Sequence, residues 1–109
     1  MAELHDVTDA NFDDEVLQPG TLALVDFWGD HCPACRQISP VLKQLAADYA
    51  GRVKIVKLHA AENMRTSARY GVRAMPTVLA FRDGEVRGQL VGARKKADFE
   101  ELISGILGG

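Results

Sequence analysis

The chain has 109 residues, of which 47% are hydrophobic and 26% charged, and its formal net charge is −2. That length suits one domain with its own core and is too short for two. The charge argues against nucleic acid as a main partner, and no apolar run approaches the length of a membrane span.

Taken in chain order, Leu4 to Val7 reads as a short edge strand. Thr8 is a suitable helix N-cap, with Asp9 near the positive end of the helix that would run to about Leu17 and stop before Pro19-Gly20. Leu22 to Trp28 is almost continuously apolar, the pattern of a central strand covered on both faces. The longest helix is expected from about Pro33 to Tyr49, because Ile38, Val41, Leu42, Leu45, Ala46 and Tyr49 recur at helical spacing. Pro40 lies inside it and should kink it. Val53 to Leu58 is the next strand, and a short helix near Asn63 to Tyr70 ends at Gly71. Thr77 to Phe81 is a further strand, and Asp83-Gly84 signals a hairpin returning through Glu85 to Val91. Phe99, Leu102, Ile103 and Ile106 mark the buried side of a final helix. The order β-α-β-α-β-α-β-β-α predicts an α/β fold, a mixed sheet with helices on both faces.

Both cysteines fall in Trp28-Gly29-Asp30-His31-Cys32-Pro33-Ala34-Cys35-Arg36, between a strand and a helix. Pro33 suits the first helical position, which makes Cys32 the N-cap. Its sulfur then faces unsatisfied backbone N–H groups, which stabilise a thiolate. Cys35 follows one turn later, within disulfide reach, as thiol–disulfide exchange requires. A structural staple is a weak reading, because so small a loop removes little unfolded-state entropy. A metal site needs more ligands than one Cys-x-x-Cys supplies, and although His5, His31 and His59 exist, no His pair has metal-ligand spacing.

Asp26 interrupts the hydrophobic strand that feeds the cysteine helix. Buried there, it needs a raised pKa or a partner, and it is placed to take a proton from Cys35. Lys57, on the neighbouring strand, is the candidate partner. Arg73-Ala74-Met75-Pro76-Thr77 precedes a strand, where a cis-proline would hold a tight turn and leave the Met75 backbone open to an extended substrate. Charge is uneven along the chain: eight acids and no Lys or Arg precede Arg36, while all 13 basic residues follow from there. Folding is expected to mix the two sets, the alternative being an acidic face for partner choice.

These residues resemble the thioredoxin family over almost the whole chain. The resemblance rests on Val25-Asp26-Phe27-Trp28, Cys32-x-x-Cys35, Pro40, Lys57, Tyr70-Gly71-Val72-Arg73, Met75-Pro76-Thr77, Phe81, Asp83-Gly84 and Val91-Gly92-Ala93. It implies the thioredoxin fold, with about five strands and four helices, and a reductase of protein disulfides. Cys32 would attack and form a mixed disulfide, and Cys35 would resolve it with Asp26 as proton acceptor. Pro76 would be cis, and Trp28, Met75 and the Val91-Gly92-Ala93 loop would form the docking groove. The family implies no cofactor bound by the chain itself and a flavin-dependent thioredoxin reductase as electron donor.

The chain departs from the family's usual Trp-Cys-Gly-Pro-Cys by reading His31-Cys32-Pro33-Ala34-Cys35. A proline directly after the nucleophile resembles some strongly oxidising relatives. His31 replaces an aromatic of the docking surface and, protonated, would stabilise the Cys32 thiolate. These departures bear on redox poise and on the reductase partner. The alternatives are a more oxidising oxidant or isomerase on the same scaffold and a redox-silent binding module. The stretch Met1-Ala2-Glu3-Leu4-His5-Asp6 has neither a basic n-region nor an apolar h-region, so no signal peptide is expected. A cytoplasmic location follows, which favours the reductant, and the short chain suggests a monomer.

Overall fold

Strand propensity and helical periodicity resolve into separate elements in the computed structural model, which describes residues 4–108. Met1 to Glu3, part of the stretch read for a leader, lie outside the described residues. In chain order the elements are β1 (His5–Asp6), α1 (Phe12–Val16), β2 (Leu22–Trp28), α2 (Pro33–Asp48), β3 (Lys54–His59), α3 (Met64–Arg69), β4 (Thr77–Arg82), β5 (Glu85–Val91) and α4 (Lys96–Leu107). The strands form one mixed sheet in the order β1-β3-β2-β4-β5. β3 runs parallel to both β1 and β2, whereas β4 is antiparallel to β2 and to β5.

β2 lies at the centre, and its alternation explains how one strand serves two cores. Leu22 and Leu24 join Ile38, Leu42 and Leu45 of α2 and Phe99, Ile103 and Ile106 of α4 on one face. Ala23, Val25 and Phe27 join Phe12 and Val16 of α1 on the other, with Tyr70 and Val72 from the end of α3 packed alongside. Asp26 is in phase with Leu22 and Leu24, so its carboxyl faces the side of α2. Phe81, fully buried in the second core, meets the rings of Phe12 and Tyr70 edge-on at centroid distances of 5.6 and 5.0 Å.

The mixed sheet with helices on both faces is the architecture expected from the element order. Asp83 and Gly84 both adopt positive φ (53° and 81°), the geometry of a tight hairpin turn. α2 runs unbroken through Pro40, whose missing N–H leaves the Arg36 carbonyl without its usual helical donor.

The short edge strand is found with narrower bounds, and one local expectation is corrected. β1 pairs with β3 over only two residues, His5 and Asp6, while Leu4 and Val7 turn into opposite cores. Thr8 does not cap α1; the cap position is Asn11. Residues 8–11 form a turn instead, in which the Thr8 N–H donates to Asn11 Oδ1 at 2.7 Å and the Asn11 N–H to the Thr8 carbonyl at 3.2 Å. Asp9 serves a different helix. Its carboxylate accepts from the Thr66 N–H (2.8 Å), the Thr66 hydroxyl (2.6 Å) and the Arg65 N–H (3.3 Å), and so caps α3 from 56 and 57 residues away. Asn63, the local cap residue, instead accepts the Asp9 N–H through its side-chain oxygen at 2.9 Å.

Candidate active site

The site begins where β2 ends. The chain leaves Trp28, turns through Gly29 to His31, and enters α2 at Pro33. His31 takes the left-handed φ of 53° that this reversal needs. Cys32 is the N-cap of α2, with extended dihedrals, and its sulfur accepts the Cys35 N–H at 3.1 Å. The first turn of α2 carries no acidic side chain, so the positive end of the helix acts on that sulfur undiluted.

Cys32 and Cys35 are joined in a disulfide with their Cα atoms 5.2 Å apart. The two sulfurs differ in access. Cys35 is 6% exposed, whereas Cys32 is half-buried at the surface. Cys32 is therefore the more accessible of the two sulfurs. Across from it, Cys32 Sγ lies 3.7 Å from the Met75 carbonyl oxygen. The Met75–Pro76 peptide is cis, and the Pro76 carbonyl accepts the Gly92 N–H at 2.9 Å. Gly92 holds φ at 89°, a conformation that excludes most side chains even though the space beside it is open. Residues 29–36, 73–76 and 91–94 are thereby tied into one surface, on which Met75 and Val91 are exposed.

Behind the disulfide lies a cleft of about 310 Å³, lined among others by Asp26, Trp28, Cys32, Cys35, Arg36 and Lys57. Asp26 is 5% exposed and its Oδ1 has no hydrogen-bond partner among the described residues. Burial pushes its pKa from 3.8 up to about 7, and the charge of Lys57 pulls in the opposite direction. Lys57 stands opposite Asp26 in the β2–β3 register. Its ammonium is not within ion-pair distance of Asp26; it lies 3.9 Å from Asp6 Oδ1 and 5.6 Å from the centre of the Trp28 ring. Lys57 thus acts on Asp26 as a nearby charge and not as a bonded partner.

Sequence reasoning missed the role of His59. Its ring stands edge-on to Trp28 at 4.6 Å, Nδ1 accepts the Glu62 N–H at 3.2 Å, and Nε2 is 3.1 Å from Asp30 Oδ2. One half-buried histidine thus holds both Trp28 and Asp30. The signal was its position at the end of β3, in register with Trp28. His31 is exposed on the rim of the same cleft. Among the described residues no group of three or more His, Cys, Asp or Glu side chains is arranged to hold a metal.

An accessible sulfur at a helix start, linked to a buried one and able to separate from it by accepting two electrons, is built for exchange with another disulfide. The fold and site define a thiol–disulfide oxidoreductase. Comparison with known proteins is more specific. Residues 3–105 match the Thioredoxin family model. A thioredoxin of Pseudomonas aeruginosa is 45% identical over 97 residues, covering 89% of this chain and 90% of that protein. A thioredoxin of Staphylococcus saprophyticus is also 45% identical over 97 residues, covering 89% and 91%. A chloroplastic M-type thioredoxin of Pisum sativum is 41% identical over 101 residues, which are 93% of this chain and 59% of that protein. The chain belongs to the thioredoxin family, and its activity is the reduction of protein disulfides through the Cys32–Cys35 pair.

Proposed function

We propose that the dithiol form is an electron donor in the cytoplasm, with Cys32 as nucleophile and Cys35 as resolving thiol. The Cys32 thiolate attacks one sulfur of a target disulfide. That S–S bond breaks, a mixed disulfide forms, and the released target thiolate takes up a proton. Cys35 then loses its proton to Asp26 and attacks Cys32, which frees the second target thiolate and closes the Cys32–Cys35 disulfide. Two electrons pass from the dithiol to the target, and a flavin-dependent thioredoxin reductase restores the dithiol.

The observation that carries this reading is the unequal exposure of the two sulfurs at the start of α2. Asp26 is supported as proton acceptor by its place in the same cleft as Cys35 and by a pKa of about 7, which lets it take and return a proton at neutral pH. Trp28, Met75, Pro76 and Gly92 are the docking groove on this reading, with His31 at its edge. The Met75 backbone pairs with an extended target segment. No helix among the described residues is long and apolar enough to cross a membrane.

The test is trapping. Cys35→Ser should accumulate a mixed disulfide with a disulfide-containing protein, visible by mass, and Cys32→Ser should accumulate none. Trapping by Cys32→Ser and not by Cys35→Ser would reverse the roles.

A further inference from the structure

We propose that the docking surface selects target disulfides flanked by acidic residues, an inference that rests on the oxidoreductase reading and names its preferred substrates. The three segments that converge on Cys32 each carry one exposed arginine: Arg36, Arg73 and Arg94. Arg36 lines the cleft with both cysteines. Arg73 lies two residues before Met75, whose carbonyl is 3.7 Å from Cys32 Sγ. Arg94 donates its Nε–H to the Val91 carbonyl at 3.0 Å, which fixes the guanidinium beside the Gly92 loop with its other N–H groups still available.

None of the three arginines makes an ion pair among the described residues. Elsewhere the fold does pair cations: Lys54 with Glu15, Arg69 with Asp13 and Lys96 with Asp48, each at 2.9 Å. The sole acid within the three segments, Asp30, is engaged by His59 at 3.1 Å. With histidines neutral, residues 29–36, 73–76 and 91–94 carry a formal charge of +2, although the whole chain carries −2. The remainder therefore carries −4.

This separation of charge has two consequences for a target. Its encounter with Cys32 is steered by a field of the opposite sign to the protein's net charge. A segment docking at Cys32 also meets the Arg36 guanidinium in the cleft, with Arg73 and Arg94 on the two adjoining segments, and guanidinium groups match carboxylates in a planar, two-point geometry that a lysine cannot offer. Glutamate or aspartate near the target cysteines satisfies both conditions, and lysine or arginine there meets repulsion.

The experiment uses three synthetic peptides with the same intramolecular disulfide ring, flanked on both sides by two Glu, two Gln or two Lys. Each is reduced by the dithiol form of the protein, and kcat/KM is measured. At an ionic strength of about 0.01 M, where screening is weak, the Glu peptide should exceed the Lys peptide by about tenfold or more, with the Gln peptide between. At about 1 M the gap should close to about twofold. In the double variant Arg73→Glu/Arg94→Glu the order should flatten or invert. Equal rates for the Glu and Lys peptides at low salt would overturn the proposal while leaving the oxidoreductase reading intact. So would a preference that survives the double variant unchanged. Failure to reduce the Gln peptide as well would overturn both.

Discussion

Asp26→Asn should stabilise the protein, and only above the acidic range. A carboxyl whose pKa climbs from 3.8 to about 7 on folding prefers its protonated form in the native state by on the order of 4 kcal/mol. Between these two values the native state holds more protons than the unfolded one, so stability falls as pH rises through that window and levels off above it. An amide of the same shape never ionises and escapes the loss. Its –NH₂ group replaces an oxygen in a site where one carboxyl oxygen already lacks a partner, which costs about 1–3 kcal/mol. The net gain at pH 8 is then about 1–3 kcal/mol, turning into a small loss near pH 3.5. The assay is urea unfolding of the oxidised wild type and variant at both pH values. A difference in midpoint that does not change with pH would refute the reasoning, because it would mean that Asp26 is not a buried acid forced to ionise.

Asp9→Ala should lower stability by about 1 kcal/mol near neutral pH through loss of the cap on α3. The hydrogen bond from Thr66 is the main cause holding the Asp9 pKa below 3.8, so its ionised form favours folding above that range. The cost in urea unfolding should accordingly shrink as pH falls through the low pKa. Phe81→Ala should cost about 3–5 kcal/mol in the same assay, since a fully buried ring packed on Phe12 and Tyr70 leaves a cavity; a cost under about 1 kcal/mol would show that the second core collapses freely around the gap.

The parts of the fold that follow from local chemistry were legible in the sequence. β2 announces itself by a run of apolar residues, and the hairpin by an Asp83-Gly84 pair that tolerates positive φ. The start of α2 is written in Cys32-Pro33, because a proline at the first helical position leaves the residue before it as cap. What could not be read are the links made through space. Thr8 and Asp9 look like the start of α1, yet Asp9 caps a helix that follows more than fifty residues later, and no periodicity encodes that. Lys57 and Asp26 stand in register across two strands, but the length of the lysine chain carries its charge to Asp6. His59 carries no motif of its own; its contacts with Trp28 and Asp30 exist only because β2 and β3 end together. Arg36, Arg73 and Arg94 lie on three segments spread over nearly sixty residues, and only the fold joins those segments around Cys32.

The central claim is that the Cys32–Cys35 pair donates electrons, and its reduction potential tests this most directly. The protein would be equilibrated with a defined thiol–disulfide buffer and the dithiol fraction measured after acid quenching. The account predicts a potential near the roughly −270 mV known for thioredoxin. A potential near the roughly −120 mV of a strong oxidant would contradict it, and would mean that Pro33 and His31 have turned the site from donor to acceptor.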